Sequence, residues 1–197
     1  MKVGLVLEGG AMRGLYTAGV IDTFLKEKID VDTIIGVSAG ALFGMNYKSK
    51  QIGRVLRYNK AYAGNKDYMG VYSFLKTGNV MNEEFCFEKL IDDLDPIDYQ
   101  SYQESPVDFY AVVTNVLTGE PEYMKYTTAD RSNLILKATC ALPILFPNIY
   151  INDTPYLDGG LSDSIPYEKA FEDGCDRVVV VLTRESGYKK STTSSTK

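Results

Sequence analysis

The chain has 197 residues, of which 45% are hydrophobic and 24% charged, and this composition predicts one globular domain rather than a disordered chain. The formal net charge of -5 argues against a nucleic-acid-binding protein, because such proteins usually carry an excess of basic residues. The three cysteines are far apart and there is no histidine, so the sequence predicts free thiols, no metal site and no organic cofactor.

The first part of the chain alternates between short apolar runs and segments with helical periodicity. Residues 3–7 and 33–37 are predicted to be buried strands, and residues 15–28 and 39–47 are predicted to be helices. A strand, a loop and a helix, twice in succession, predict an α/β fold with a parallel sheet.

The rest of the chain adds helices, two antiparallel strand pairs and a final strand. Helices are predicted over 52–61, 83–93, 130–141 and 167–173, strand pairs over 109–116 with 122–126 and 148–152 with 156–157, and a central strand over 177–182. Residues 65–82 are predicted to be irregular. Residues 1–188 are expected to form one domain, and residues 189–197 a disordered tail.

A serine lies between the second strand and the second helix, within Gly36-Val37-Ser38-Ala39-Gly40. Small residues two positions to either side allow a sharp turn that exposes the serine hydroxyl. The start of a helix also favours negative charge that develops in a reaction. Ser38 is therefore a candidate nucleophile, with Gly36 and Gly40 forming its turn. The alternative is a serine that caps the helix, with glycines that serve packing.

A glycine-rich loop joins the first strand to the first helix and contains Gly9, Gly10, Ala11 and Arg13. Such a loop presents backbone N–H groups that bind an anion. A P-loop would require lysine after Gly14, and a dinucleotide fingerprint would require glycine at position 11. An oxyanion site therefore fits best, with Arg13 as a nearby positive charge. A tight turn without a ligand, or a nucleotide site, are the alternatives.

The chain contains no histidine, so a Ser-His-Asp triad within one subunit is impossible. Either Ser38 is inert, or a carboxylate accepts its proton directly. Asp158, in Asp158-Gly159-Gly160, is the best candidate, because the two glycines allow a tight turn and the close approach of another segment. A partly desolvated site would be needed to strengthen this base.

These three motifs, in this order, resemble the patatin-like phospholipases, and the resemblance covers nearly the whole chain. Residues 138–147 resemble the family's segment upstream of the aspartate, and residues 181–184 and 187–188 resemble its bacterial branch. The resemblance implies a three-layer sandwich with a mostly parallel central sheet flanked by helices. It also implies a serine acyl hydrolase with a serine–aspartate dyad that needs no cofactor.

The resemblance implies roles for particular residues of this chain. Ser38 would be the nucleophile and Asp158 the base, while Gly9, Gly10 and Ala11, supported by Arg13, would form the oxyanion hole. Many members have a third glycine where this chain has Ala11. Members generally continue beyond the last strand found here, so a truncated chain that lacks part of the acyl-chain pocket is an open alternative, as is a catalytically silent acyl-chain or protein-binding module.

The expected partner is a lipid or another acyl ester, with no nucleic acid. The sequence also contains a basic stretch, with only Asp67 adjoining it, formed by Lys48, Lys50, Arg54, Arg57, Lys60 and Lys66. This stretch suggests peripheral contact with an anionic membrane, and a solvated helix face is the alternative. No signal peptide or spanning segment is recognised, so the expected location is the cytoplasm.

Overall fold

The computed structural model describes residues 1–68, 82–128 and 132–188. The predicted tail and most of the predicted irregular segment lie outside these residues. Within them, seven strands form one sheet, as the alternating apolar pattern predicts: β1 (Val3–Leu7), β2 (Thr33–Val37), β3 (Asp108–Asn115), β4 (Pro121–Lys125), β5 (Ile149–Ile151), β6 (Thr154–Asp158) and β7 (Arg177–Val181).

The strand order is β5-β6-β3-β2-β1-β7, and β4 also pairs with β3. β7, β1, β2 and β3 are parallel, whereas β3 pairs with β4 and β6, and β5 with β6, in antiparallel fashion. The sheet is therefore mixed, and the prediction of a mostly parallel sheet holds for four of its seven strands. Both predicted antiparallel pairs are confirmed.

Helices flank the sheet on both faces: α1 (Leu15–Lys26), α2 (Ala39–Lys48), α3 (Arg54–Tyr62), α4 (Phe85–Leu94), α5 (Tyr99–Glu104), α6 (Leu134–Thr139) and α7 (Tyr167–Glu172). The hydrophobic pattern predicted six of them, whereas α5 was missed. Asp98 caps α5 by accepting a hydrogen bond from the Ser101 N–H. α4 is wound as a π-helix. No described helix has the length and apolar character that crossing a membrane requires.

The core has two sides because successive residues of each buried strand face opposite ways. Leu5 and Leu7 of β1 pack into the cluster that also contains residues of α1 and α2. Val6, between them, packs into the cluster that contains Ala170 of α7. The three-layer arrangement that the resemblance implied is therefore confirmed.

The prediction of a central strand over residues 177–182 is wrong. Among the described strands β7 pairs only with β1, so it lies at an edge of the sheet, and Val179 is partly exposed. A run of valines favours an extended backbone but does not fix the strand's position in the sheet.

The turn between β2 and α2 is held by contacts that leave no space for side chains at its glycines. A Cβ atom on Gly36 would lie 2.6 Å from the Ala41 Cα atom. A Cβ atom on Gly40 would lie 2.8 Å from the Glu8 carbonyl oxygen and would overlap that of Leu7. The start of α2 therefore packs directly on the backbone at the end of β1.

We expect Gly40→Ala to lower the free energy of unfolding by roughly 2–3 kcal/mol, because its methyl group would meet backbone that cannot move aside. Gly19→Ala in α1 is the matched control, since nothing lies within 4 Å of a Cβ atom there. This control should raise stability by roughly 0.5–1 kcal/mol. Urea unfolding measures both values, and equal stabilities for the two variants would contradict the close packing of α2 on β1.

Candidate active site

Ser38 and Asp158 lie on opposite sides of β3, at the same level of the sheet. Val37 of β2 is in register with Val112, and Asp158 of β6 is in register with Val113. Gly159 continues the chain over β3, so closely that a Cβ atom on it would overlap the Val112 carbonyl oxygen. Sheet topology therefore brings together two residues that are 120 positions apart in the sequence.

Ser38 has a strained backbone, with φ of 53° and ψ of -124°. A positive φ is uncommon for residues other than glycine and marks a constrained turn. The Ser38 carbonyl accepts hydrogen bonds from the N–H groups of Ala41 (2.9 Å) and Leu42 (3.1 Å), which ties the turn to the first turn of α2. The side chain is half-buried, at the mouth of two adjoining cavities.

Thr139, which sequence analysis did not single out, supports this turn. Its Oγ1 atom accepts a hydrogen bond from the Ser38 N–H (2.9 Å) and donates one to the Val112 carbonyl (2.5 Å). Thr139 is fully buried at the end of α6. The sequence indicated Thr139 only through its position within residues 138–147. Those residues resemble a segment of the family, but the resemblance assigned no role to a particular side chain.

Asp158 is 2% exposed, and its two carboxylate oxygens have different surroundings. Oδ1 accepts a hydrogen bond from the Gly160 N–H (2.8 Å). Oδ2 is buried and accepts no hydrogen bond of standard geometry from any described group. Burial raises the pKa of Asp158, although the nearby Ser38 hydroxyl and the Gly160 N–H act against this rise. The carboxylate is therefore a stronger base than an exposed aspartate.

The glycine loop lies beside Ser38, where a Cβ atom on Gly9 would be 3.1 Å from the Ser38 Cβ atom. The N–H groups of Gly10 and Ala11 donate to no backbone or side-chain acceptor among the described residues. Ala11 has a φ of 48° and begins a short 3-10 turn (Ala11–Gly14). Arg13 is exposed at the edge of the same cavity as Ser38 and Asp158.

Two side chains outside the predicted motifs fix this loop. The Thr183 N–H donates to the Glu8 carboxylate, and the single Thr183 hydroxyl proton is shared between the Gly9 carbonyl (2.8 Å) and that carboxylate (3.1 Å). The loop after β1 is thus held by the segment after β7. Sequence analysis noted residues 181–184 only for their resemblance to the family.

An apolar cavity of about 180 Å³ opens beside Ser38. It follows one face of α2, because Ser38, Ala39, Leu42 and Met45 are spaced at helical intervals along it. Its other side is formed mainly by apolar residues of the helices and of the segment after α6: Met12, Phe43, Cys86, Leu90, Ile91, Ile97, Cys140, Leu142, Leu145 and Phe146. The shape and lining suit a hydrocarbon chain.

Only part of the basic stretch is exposed, and contact with an anionic membrane stays a prediction. Lys48 donates to the backbone carbonyls of Ser105 and Val107, and Arg54 is buried. Arg57 is paired with Asp95. Tertiary packing thus withdraws Arg54 from solvent and ties Lys48 to backbone carbonyls, which sequence spacing alone could not reveal.

All three cysteines are free and buried, as predicted. Burial raises the pKa of the Cys140 thiol, which lies near Ser38 and Asp158, well above its usual range. A buried thiol of this kind is unreactive. In the part of the chain that the structure describes, no three histidine, cysteine, aspartate or glutamate side chains cluster as metal ligands would.

The strained serine, the buried aspartate and the glycine loop are the features of one known class of proteins. The family model described as patatin-like phospholipase matches residues 5–171. The chain therefore belongs to the patatin-like phospholipase family, as the sequence motifs predicted.

Particular relatives extend this finding. The chain is 27% identical to the uncharacterized protein YjjU of Escherichia coli K12, over 92% of this chain and 52% of YjjU. It is also 27% identical to the probable lipid hydrolase 463L of Invertebrate iridescent virus 6, over 95% of this chain and 72% of that protein. Lysophospholipase NTE1 of Saccharomyces cerevisiae is 27% identical over 91% of this chain and 10% of its own length. The chain thus spans about half of its Escherichia coli relative.

A solved structure has the same fold. VipD from Legionella pneumophila superposes with a TM-score of 0.50 at 15% sequence identity, over 91% of this chain and 49% of VipD. At this identity the likeness concerns the fold alone, and it agrees with the sheet and helix layers described above.

We expect Thr139→Val to destabilise the turn at Ser38, because the Ser38 N–H and the Val112 carbonyl would each lose a buried hydrogen-bond partner. The free energy of unfolding should fall by about 2 kcal/mol. Thr139→Ser keeps the hydroxyl and is the matched control. Thermal unfolding of the three proteins checks this, and a valine variant as stable as the serine variant would contradict the role of the hydroxyl.

Proposed function

We propose that this chain is a serine acyl hydrolase that cleaves carboxylic ester bonds of lipids, as a phospholipase A, lysophospholipase or lipid esterase. The observation that carries the proposal is a half-buried serine on a strained turn beside a buried aspartate with an unpaired oxygen. The lipid class is supported by the family and by relatives named lipid hydrolase and lysophospholipase.

In the first half of the reaction, Asp158 Oδ2 accepts the Ser38 hydroxyl proton as Oγ attacks the ester carbonyl. The N–H groups of Gly10 and Ala11 stabilise the oxyanion, and one such donor is typically worth about 3 kcal/mol. The tetrahedral intermediate collapses, the alcohol leaves with the proton held by Asp158, and the acyl group stays on Ser38.

In the second half, a water molecule gives a proton to Asp158 and attacks the acyl-enzyme carbonyl. The intermediate expels Ser38, which recovers the proton, and the carboxylic acid is released. The unpaired Oδ2 and the raised pKa of Asp158 both support the role of the base. In the unliganded site the Ser38 hydroxyl makes no standard hydrogen bond to Oδ2, and such contacts commonly tighten only when substrate is bound.

The apolar cavity supports an enzyme rather than the silent binding module left open by the sequence. It begins at Ser38 itself, so that a hydrocarbon chain within it would place its carboxyl carbon at the hydroxyl. An acyl-binding module would need the cavity but not the unpaired buried carboxylate, which costs stability when ionised.

Ser38→Ala and Asp158→Asn should each reduce ester hydrolysis by about a thousandfold or more, because each removes a partner in proton transfer. Hydrolysis of p-nitrophenyl butyrate and labelling by a fluorescent fluorophosphonate measure this. Asp163→Asn is the matched control, since Asp163 lies on the same turn but bonds Tyr123 instead. Full labelling of Asp158→Asn would contradict the dyad.

Asp158→Asn should also raise the melting temperature at neutral pH. A raised pKa means that the protonated carboxyl favours the fold and that this contribution is lost as the pH rises through that pKa. Asparagine is neutral at every pH and avoids that loss. A variant that is both inactive and less stable would indicate a structural role for Asp158 rather than a catalytic one.

The proposal extends to how the enzyme meets its lipid. Apolar side chains surround the mouth of the cavity, with Ile144 95% exposed and Met12, Leu142 and Leu145 partly exposed. Ile144 has a φ of 70°, which is unusual for a β-branched residue and presents its side chain at the end of a turn. An apolar rim around an acyl-chain cavity suits peripheral contact with a lipid surface. The basic stretch does not provide such a rim.

Ile144→Asp should weaken cosedimentation with phosphatidylcholine vesicles, because it replaces an exposed apolar side chain with a charge. Wild-type binding should persist at high salt, since the contact is apolar. Phe171→Glu is the control, because Phe171 is an exposed apolar residue of α7 on the opposite face of the sheet. Equal binding by the two variants would contradict this rim as the lipid-facing surface.

A further inference from the structure

The apolar cavity contains a buried positive charge far from Ser38. Arg54, the first residue of α3, lines the cavity and is 3% exposed. It donates from Nη1 to the Asn46 side chain (3.2 Å), and Asn46 lies eight residues beyond Ser38 along α2. At the helical rise per residue, this guanidinium is about 12 Å from the catalytic serine along the helix axis.

The hydrogen bonds of Arg54 are made to neutral groups. Its Nε and Nη2 atoms both donate to the backbone carbonyl of Asp95, at 2.8 Å for Nε, and Nη1 donates to the Asn46 amide oxygen. A guanidinium has five N–H donors, so that two remain beyond these three bonds to described residues. The Tyr58 ring lies 5.3 Å from the guanidinium carbon and is also neutral.

The carboxylate nearest to Arg54 is shared with a second arginine. The Asp95 side chain accepts two hydrogen bonds of 2.8 Å from Arg57, one to each oxygen, whereas Arg54 Nε approaches it only to 3.5 Å. Two guanidinium groups therefore share the Asp95 carboxylate, and Arg57, which also lies near Asp22, makes the better hydrogen bonds to it. Burial lowers the pKa of Arg54, which reflects the cost of holding this charge away from water.

Such a charge is unusual in a cavity for hydrocarbon. A methyl-ended acyl chain that reached Arg54 would leave the two N–H donors unpaired and desolvated, which is unfavourable. A carboxylate would accept hydrogen bonds from both donors and balance the second guanidinium. The cavity thus has a reactive group at one end and a group complementary to an anion at the other.

We infer that the far end of the acyl cavity binds a carboxylate through Arg54, so that the preferred acyl group is an aliphatic chain that itself ends in a carboxylate. The substrates would then be half-esters of dicarboxylic acids. This inference rests on the proposed function, because it assigns the apolar cavity to the acyl group and Ser38 to the ester.

Hydrolysis of matched esters tests the inference. The substrates are mono-p-nitrophenyl esters of adipic, suberic and sebacic acids, each with the second carboxyl either free or methylated. For at least one chain length, wild type should show a kcat/KM roughly tenfold higher for the free acid, the difference expected for a charge-assisted hydrogen bond. A preference for the methylated compound at all three lengths would overturn the inference.

Two variants test whether Arg54 causes the preference for the free acid. In Arg54→Met the ratio of kcat/KM for the free acid to kcat/KM for the methylated ester should fall to one or below. Arg57→Met removes the same charge from the same helix, from a side chain that is 57% exposed and does not line the cavity, and it should keep the preference. Circular dichroism establishes that both variants are folded. If Arg54→Met does not fold, the inference is tested by whether the wild type prefers the free acid to the methylated ester.

A binding measurement separates this inference from the proposed function. Ser38→Ala is titrated by calorimetry with the monomethyl and the dimethyl esters of the same acids. Tighter binding of the monomethyl esters would support the carboxylate site even if wild type hydrolysed none of the substrates, in which case only the proposed function would fail. Equal binding, together with hydrolysis that ignores the free carboxyl, would overturn the inference and leave the hydrolase intact.

Discussion

The contact of helix α2 with the backbone at the end of β1 determines the geometry around Ser38. Because Gly36 and Gly40 leave no side chain between these elements, the chain must reverse within a few residues and holds Ser38 at a positive φ. Such a backbone costs about 1–3 kcal/mol, and the surrounding packing must offset it. Thr139 contributes by bonding the Ser38 N–H, so α6 and β3 also hold the turn.

Burial affects this site in two ways. Burial raises the pKa of Asp158, which lines the cavity shared with the glycine loop, and the adjoining apolar cavity would accept a hydrocarbon chain. A carboxylate in water is a weak base, and without a histidine the chain has no residue whose ordinary pKa lies near neutrality. Desolvation raises the basicity of Asp158 and so compensates for the missing histidine.

Most strands and helices could be predicted because their signals are local, and local motifs also indicated the candidate site residues, whose roles stay predictions. The serine turn and the glycine loop each fall within seven consecutive residues. The edge position of β7, the hydrogen bonds of Thr139 and the burial of Arg54 could not be predicted in this way, because each depends on partners far along the chain. The sequence shows which residues of α3 are charged, but only tertiary packing determines which of those charges reach solvent.

The parallel pairing of β1 with β7 has a consequence for how the protein is made. β1 is synthesised before the other described strands, yet one of its two neighbours is formed by residues 177–181, and the glycine loop that follows β1 is fixed by Thr183. At cellular elongation rates, on the order of ten seconds pass between the synthesis of these two segments. Throughout that interval one edge of β1 has no strand partner and the glycine loop lacks its Thr183 contact. The loop beside Ser38 therefore acquires this contact only after Thr183, 174 positions further along the chain, has been synthesised.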